Sequence, residues 1–348
     1  MSPALKPSPS LKNSYAPFNV KRVACVLTLL LSALFAPRVA EAKVTRYLTG
    51  SGDDAAPRLH GPALDLGGGG SDVAEGIQRM IDEVRGCSQC PTKLDVVVLR
   101  ASGADGYNDY IYKMNGVDSV ETLVVTGAED ATDASVAETV RRAEVVFFAG
   151  GDQCNYVRYF KGNAVEDAVK SVYARGGGVG GTSAGEAIQG EFVYDGCDSD
   201  GATSAEALAD PYAPSVRFTY DFFRWKYMGG VITDQHVVAR KRLGRTLVFV
   251  ARQLKDRKAR RVLAVAVNER TSVVVDRRGL ARVVGEGPAY FILGDHAPEL
   301  CEPKRPLTYT DYKVWKLAPG DTFDLARRPK KGFKLVGVRE GKPTDNLY

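Results

Sequence analysis

Histidine is scarce in this chain: chemistry that needs an imidazole must draw on His60, His236 or His296, the three present among 348 residues. Apolar runs are also few. Only Val23–Ala36 is sustained, and it falls short of the roughly 20 residues a membrane span takes, so stable membrane insertion is not expected. Internal repeats and low-complexity tracts are absent, and 36 Gly and 17 Pro are scattered rather than clustered, which excludes solenoid, collagen-like and disordered chains. Zinc-site spacing occurs once, in Cys87-Ser88-Gln89-Cys90, with no second pair or paired histidines. No metal is expected there; a loop disulfide and two surface thiols both remain open. Gly67–Gly70 lacks the acidic residue of a dinucleotide fingerprint, and no Walker lysine is present, so no nucleotide or other cofactor is expected.

What is present is ordinary globular composition, 44% hydrophobic and 26% charged. The net charge of +5 is concentrated at the start, because Lys6, Lys12, Lys21, Arg22 and Arg38 precede residue 43 with only Glu41 against them. The remainder carries +1, too weak a field to collect nucleic acid, and the run Arg327, Arg328, Lys330, Lys331 reads as a solvated loop. Lys21-Arg22, the apolar run and then Ala40-Glu41-Ala42 form the pattern of a secretory signal cleaved after Ala42, with an uncleaved anchor as the alternative. A secreted or periplasmic location is the corresponding expectation. Cys87, Cys90, Cys154, Cys197 and Cys301 would then meet an oxidising compartment, and an odd number leaves at least one unpaired.

Four regions are expected: signal 1–42, an N-terminal segment 43–65, an α/β core 66–259, and a β-rich extension 260–348 of the same domain. In the core, Leu94–Leu99, Thr122–Thr126, Val145–Ala149 and Gly178–Gly181 read as strands, and Val73–Val84, Ala134–Ala143 and Val165–Tyr173 as helices between them. Continuous apolar strands joined by helices imply a mostly parallel sheet covered on both faces, whose sites lie at the carboxyl ends of strands. Beyond residue 259, Val262–Val267, Ser272–Val275, Ala281–Val284 and Ala289–Leu293 read as antiparallel hairpins appended to that sheet.

Gly181-Thr182-Ser183-Ala184-Gly185 stands where a strand meets a helical pattern and reads as a nucleophile elbow, with Ser183 raised on a tight turn. A second glycine-rich strand end, Ala149–Gln153, would lie beside it and could offer backbone N–H groups to an oxyanion. Of the three histidines, His236 comes after the apolar run Gly230–Ile232 at a strand terminus and is the candidate base. Arg240, Arg242 and Arg245 come just after it and could bind a carboxylate.

Gly150-Gly151-Asp152-Gln153, Gly180–Gly185, Asp234-Gln235-His236 and the Arg240, Arg242, Gly244, Arg245 block resemble the cyanophycinase-like serine peptidases, relatives of aspartyl dipeptidase with a class I glutamine-amidotransferase-like fold. The similarity runs from about residue 66 to 295. The resemblance implies Ser183 as nucleophile, His236 as base and Gly151 with Ala184 as oxyanion donors. It also implies Gln153, Asp234, Gln235, Arg240, Arg242 and Arg245 as a pocket for an aspartyl unit. The expected activity is exopeptidase cleavage of an aspartyl peptide, β-linked or cyanophycin-like, with α-aspartyl dipeptidase activity or a non-catalytic binder as alternatives; a homodimer is one assembly this reading allows. Glu186 stands where the family commonly has a small or apolar residue, Val237 where it has an aromatic one, and Asp195–Tyr212 is longer than in cyanophycinases, resembling a secreted subgroup. For the acid that orients His236, Glu191, Asp195, Asp198, Asp200, Glu206 and Asp210 lie between elbow and base, and Glu206, in the segment that most resembles the family's acid-bearing one, is the expected acid.

Overall fold

A computed structural model describes residues 44–348; the expected signal segment 1–42 lies outside the described residues. Strands β1 (Thr45–Gly50), β2 (Ala63–Gly67), β3 (Leu94–Arg100), β4 (Val117–Val124), β5 (Val145–Phe148) and β6 (Gly178–Thr182) form one side of a nine-stranded sheet in the order β1-β4-β3-β5-β6-β2. All neighbours among these are parallel except β1, which runs antiparallel along the edge at β4. The small pair β7 (Val193–Tyr194) and β8 (Phe218–Thr219) stands apart from it.

Why the sheet is covered on both faces follows from side-chain alternation. Val96 and Val98 of β3 with Val145 and Phe147 of β5 point to helix α1 (Ala74–Arg85), where Ile77, Met80, Ile81 and Val84 are buried. Val97, Leu99, Val146 and Phe148 point the other way. After the short helix α2 (Asn108–Tyr112), helix α3 (Ala134–Arg142) covers that second face with Val136, Ala137 and Val140. Helix α4 (Gln153–Phe160) comes after β5, and helix α5 (Ala164–Ala174) adds Val165, Val169 and Val172, its start capped by Asn163, which accepts from the N–H groups of Val165 and Glu166. This is the expected α/β class.

The region after residue 259 departs from a row of appended hairpins. Strand β9 (Val231–Gln235) lies not in the large sheet but in a six-stranded one, beside and parallel to β10 (Val262–Val267). Strands β11 (Thr271–Val275) and β12 (Leu280–Gly285) do form a hairpin around Arg277-Arg278-Gly279, but β11 pairs with β2, so both extend the large sheet. Strand β13 (Ala289–Gly294) returns to pair with β10, β14 (Tyr309–Leu317) pairs with it in turn, and β15 (Thr322–Asp324) closes the large sheet beside β12. The last strands, β16 (Lys334–Arg339) and β17 (Lys342–Pro343), complete the smaller sheet. The division at 259/260 is therefore not a division between sheets. The physical reason is that β10 is apolar at every position: Leu263, Val265 and Val267 face the large sheet while Ala264 and Ala266 face helix α8 (Leu243–Lys255), the eighth helix of the described residues after α6 (Ala184–Ala187) and α7 (Ser204–Ala209). A strand covered on both faces can take a parallel partner as readily as an antiparallel one.

Strand β6, Gly178-Val179-Gly180-Gly181-Thr182, trades side chains for close approach. A Cβ on Gly180 would meet Asp65 Cβ at 2.9 Å, and one on Gly181 would meet the Gly185 carbonyl carbon at 2.7 Å. Gly185 is tighter still, since its Cβ would fall 2.1 Å from the Phe148 carbonyl oxygen. Gly185→Ala is therefore expected to destabilise the fold by at least about 1–3 kcal/mol, the usual cost of overpacking, because backbone cannot yield as a side chain can. A denaturant midpoint unchanged from wild type would contradict the packing described.

Candidate functional site

The chain leaves β6 at Thr182 and turns at once into α6. Ser183 occupies the corner with φ 53° and ψ −112°, a conformation costly for a residue with a Cβ, and its carbonyl accepts from the N–H groups of Glu186 and Ala187. Its side chain is partly exposed, whereas Ala184 behind it is fully buried. The hydroxyl lies 2.7 Å from His236 Nε2, and His236 Nδ1 lies 2.6 Å from Glu269 Oε1. With Nδ1–H donating to the carboxylate, Nε2 is left as acceptor for the serine hydroxyl. Burial lowers the His236 pKa below its ordinary value of 6.5 and the Glu269 hydrogen bond raises it, with Arg240 and Arg242 pushing it down further.

Three segments distant in sequence meet here because of the glycine run after β2. The carbonyls of Gly67, Gly68 and Gly69 accept, in turn, from the N–H groups of Ser183 at 2.8 Å, His236 at 2.9 Å and Arg270 at 2.9 Å. Side chains at these positions would block the convergence: a Cβ on Gly68 would lie 2.0 Å from the Asn268 carbonyl oxygen, and one on Gly69, where φ is +93°, 2.3 Å from His236 Cε1. The run that fails as a dinucleotide loop is thus a seam for backbone packing. Asn268 adds order, its Oδ1 accepting from the N–H groups of Val238 and Ala239 in the turn after the histidine.

The acid beside His236 differs from the one expected. Glu206 is exposed on α7, where its N–H donates to the capping hydroxyl of Thr203, and Glu269 stands at Nδ1 instead. Glu269 lies 33 residues beyond the histidine, outside the stretch between elbow and base. The signal that could have found it is the all-apolar β10, which ends at Val267 opposite Gln235 on its parallel neighbour. Acidic Glu269, two residues past that end, is where a second parallel strand would deliver a site residue. His60 packs over Gly86 and His296 stacks on Tyr309, both away from Ser183.

The other expected site residues divide into two groups. Gly150 and Gly151 end β5 beside the elbow: a Cβ on Gly150 would lie 3.7 Å from Ser183 Cβ, and Gly151 has φ +152°, which L side chains rarely adopt. Gln153 begins α4 and reaches the Tyr194 carbonyl at 3.5 Å. Gln235 is buried, and its Oε1 has no hydrogen-bond partner among the described residues. Arg242 is half-buried and donates to the Gln235 carbonyl; burial first, and then Arg245, lowers its pKa to about 10. Arg240 is exposed, 3.9 Å from Glu269.

Arg245 and Asp234 are structural partners rather than open pocket groups. Arg245 is 1% exposed, grips Asp234 through Nε at 3.1 Å and Nη2 at 2.5 Å, and lies over the Tyr194 ring at 4.9 Å. Thr246 donates a further bond to the same carboxylate. Among the described residues, no cluster of three or more histidine, cysteine, aspartate or glutamate side chains is arranged to hold a metal ion, and no helix is long and apolar enough to cross a membrane.

Glu186 is the unusual group. It is completely buried one turn after Ser183, and neither carboxyl oxygen has a partner among the described residues. Burial, reinforced by Asp234 and Asp65, raises its pKa well above the usual 4.5, with Arg242 and Arg245 opposing. Asp65, buried against α1 and bonded by the Ser272 hydroxyl, is itself pushed up to about 7, chiefly by burial.

Two outcomes are expected. Arg245→Ala leaves the Asp234 carboxylate buried without its ion partner and should cost about 3–5 kcal/mol of stability, read from chemical denaturation; a loss of substrate affinity at unchanged stability would return Arg245 to the pocket. For Glu186, the folded chain holds a proton that the unfolded chain releases above its ordinary 4.5. Its contribution to stability is present below that pH and is lost as pH rises toward the elevated folded value, by up to about 1.4 kcal/mol per unit. Glu186→Met should therefore gain on wild type in melting temperature as pH goes from 4 to 8, and parallel pH profiles would refute a buried titrating carboxyl.

No protein-family model matches the chain. Curated cyanophycinases from Synechococcus elongatus and from Thermosynechococcus vestitus are each 25% identical to it over 226 residues, which is 63% of this chain and 64% of theirs. The chain thus matches less than two thirds of the length of these relatives. A crystal structure of a peptidase from an acI-B1 Actinobacterium superposes with a TM-score of 0.51 at 14% identity, covering 77% of this chain and 98% of that one. By sequence the chain is similar to cyanophycinases, and by fold to a peptidase.

Proposed function

We propose that the protein is an exported serine peptidase of cyanophycinase type that cleaves aspartyl peptide bonds. The observation that carries the reading is the unbroken chain from Ser183 Oγ through His236 to Glu269, at 2.7 and 2.6 Å. Ser183 attacks the scissile carbonyl as His236 Nε2 takes its proton, and Glu269 holds the ring in the required tautomer and stabilises the imidazolium that forms. The N–H groups of Gly151 and Ala184 receive the oxyanion. His236 then returns the proton to the leaving amine, and water, deprotonated by the same histidine, releases the acyl group from Ser183. The lowered pKa of His236 keeps the base unprotonated at neutral pH.

Arg242 supports an acidic substrate. It is half-buried, and among the described residues no carboxylate lies within ion-pair distance of it. A substrate carboxylate would supply the missing counter-charge, with Arg240 close enough to act on Arg242. Asp234 and Arg245 act behind this surface as supports. Export is favoured by the leader pattern and fits the two disulfides among the described residues, Cys87–Cys90 and Cys154–Cys197, with Cys301 buried and unpaired among those residues.

Ser183→Ala should lower kcat by roughly 10⁶, and Glu269→Gln by roughly 10⁴, with the fold retained. Glu206→Gln should leave the rate near wild type, and the reverse ranking would overturn the assignment of the acid. Hydrolysis of a β-aspartyl dipeptide should exceed that of its asparaginyl counterpart by about tenfold to a hundredfold, and Arg242→Gln should erase the difference. Faster cleavage of the α-linked peptide would move the specificity to that of an aspartyl dipeptidase. Mass spectrometry of protein from the native host should find a chain beginning at Lys43; an intact N-terminus in membranes would favour the anchor.

A further inference from the structure

Two halves of the site, the Gly150–Gly151 turn and the arginine turn after His236, belong to different sheets, and one surface segment touches both. Cys197 is bonded to Cys154, the second residue of α4 and three residues beyond Gly151, with their Cα atoms 5.0 Å apart. The junction is held on each side. Asp152 caps α4 by accepting from the Cys154 N–H at 2.9 Å, and Asp195 accepts from the Cys197 N–H at 3.0 Å and the Thr219 hydroxyl at 2.9 Å. Asp198 ties the same loop to α4 through Arg158 and to the β8 approach through Arg217, at 2.5 and 2.7 Å.

From this anchor the segment runs to the other half. The Tyr194 ring lies under the Arg245 guanidinium, and its hydroxyl accepts from the Ala202 N–H at 2.6 Å. The Ala202 carbonyl accepts from Arg245 Nη1 at 3.2 Å. Ser204 donates to the Lys241 carbonyl at 2.6 Å and accepts from the Arg245 N–H at 3.2 Å. A Cβ on Gly196 would lie 3.1 Å from Gln153 Nε2, so the loop also packs against the first side chain of α4.

We propose that the Cys154–Cys197 disulfide is a positioning element of the site, pinning residues 194–204 as a strap that fixes the oxyanion turn relative to the arginine turn. The two cysteines act through Gly151 and Arg245 and do not touch the reacting atoms. The catalytic part of this inference rests on the serine-peptidase reading; the mechanical part does not. Ion pairs at Asp198 are exposed and contribute little alone, so the covalent bond is the element that holds the strap at its α4 end. Its sequence separation of 43 residues joins parts of the chain that no shared strand connects.

The experiment uses the full chain with Cys87→Ser and Cys90→Ser, which removes the disulfide in the turn after α1. Dithiothreitol then cleaves the remaining bond, each sulfur gaining one electron and one proton while the reductant closes to its cyclic disulfide; Cys154→Ser with Cys197→Ser is the second form. Amide hydrogen exchange is expected to quicken at 150–155, 195–204 and 240–246 in both forms. The rate of Ser183 labelling by a fluorophosphonate, whose phosphoryl oxygen occupies the oxyanion position, should fall about tenfold to a hundredfold, as for an oxyanion donor moved out of place. kcat should fall by a similar factor, with KM for an aspartyl dipeptide changing less than about threefold if Arg242 remains in place. A bond that merely staples the fold would lower the melting temperature and leave kcat and labelling at 25 °C unchanged, which would overturn the proposal. Unchanged exchange at those segments would overturn it as well. Quickened exchange in a protein whose oxidised form takes no label would instead refute the serine-peptidase reading and leave the strap standing.

Discussion

Three consecutive carbonyls, those of Gly67, Gly68 and Gly69, hold the N–H groups of Ser183, His236 and Arg270. Everything chemical in this protein depends on that seam. Each bond fixes one of the three segments carrying the serine, the histidine and the glutamate, and each needs a backbone approach that a side chain would obstruct. The large sheet delivers Ser183 just after β6, the smaller sheet delivers His236 and Glu269 after the parallel pair β9 and β10, and the end of β2 lies between them.

Around the seam the charges are ordered by burial. Asp234 and Arg245 cancel each other behind the arginine turn, and Thr246 and the Ala202 carbonyl occupy much of their remaining hydrogen-bonding capacity. Arg242 has no such partner among the described residues and donates only to the Gln235 carbonyl. Glu186 and Asp65 are held toward their neutral forms within the same region, so a buried carboxyl lies close to Ser183 without a fixed negative charge there.

Parts of this were legible in one dimension and parts were not. The α/β alternation, the helix over Val73–Val84 and the strand ends expected at Ala149 and Gly181, each within one residue of those found, could be seen because periodicity and turn chemistry are local. Strand β4 starts at Val117, well before the expected Thr122, because Asp118, Ser119 and Glu121 interrupt the apolar run, although Ser119 and Glu121 pair with both β1 and β3. The reading of Val262–Val267 as an antiparallel strand holds for β13 on one side but not for β9 on the other, which runs parallel: an apolar strand carries no mark of whether a partner runs with it or against it. That one pairing hid Glu269.

The sequence by itself determined the elbow and the histidine. Gly181 and Gly185 around Ser183 impose a turn that local sterics require, and with only three histidines His236 was the one at a strand terminus. Tertiary structure alone decided which carboxylate meets His236, which arginine is spent on Asp234, and that Cys154 finds Cys197. Each of these is a contact between segments brought together by strand order and register, and a side chain's partner across a sheet is set by that geometry rather than by the residues beside it in the chain.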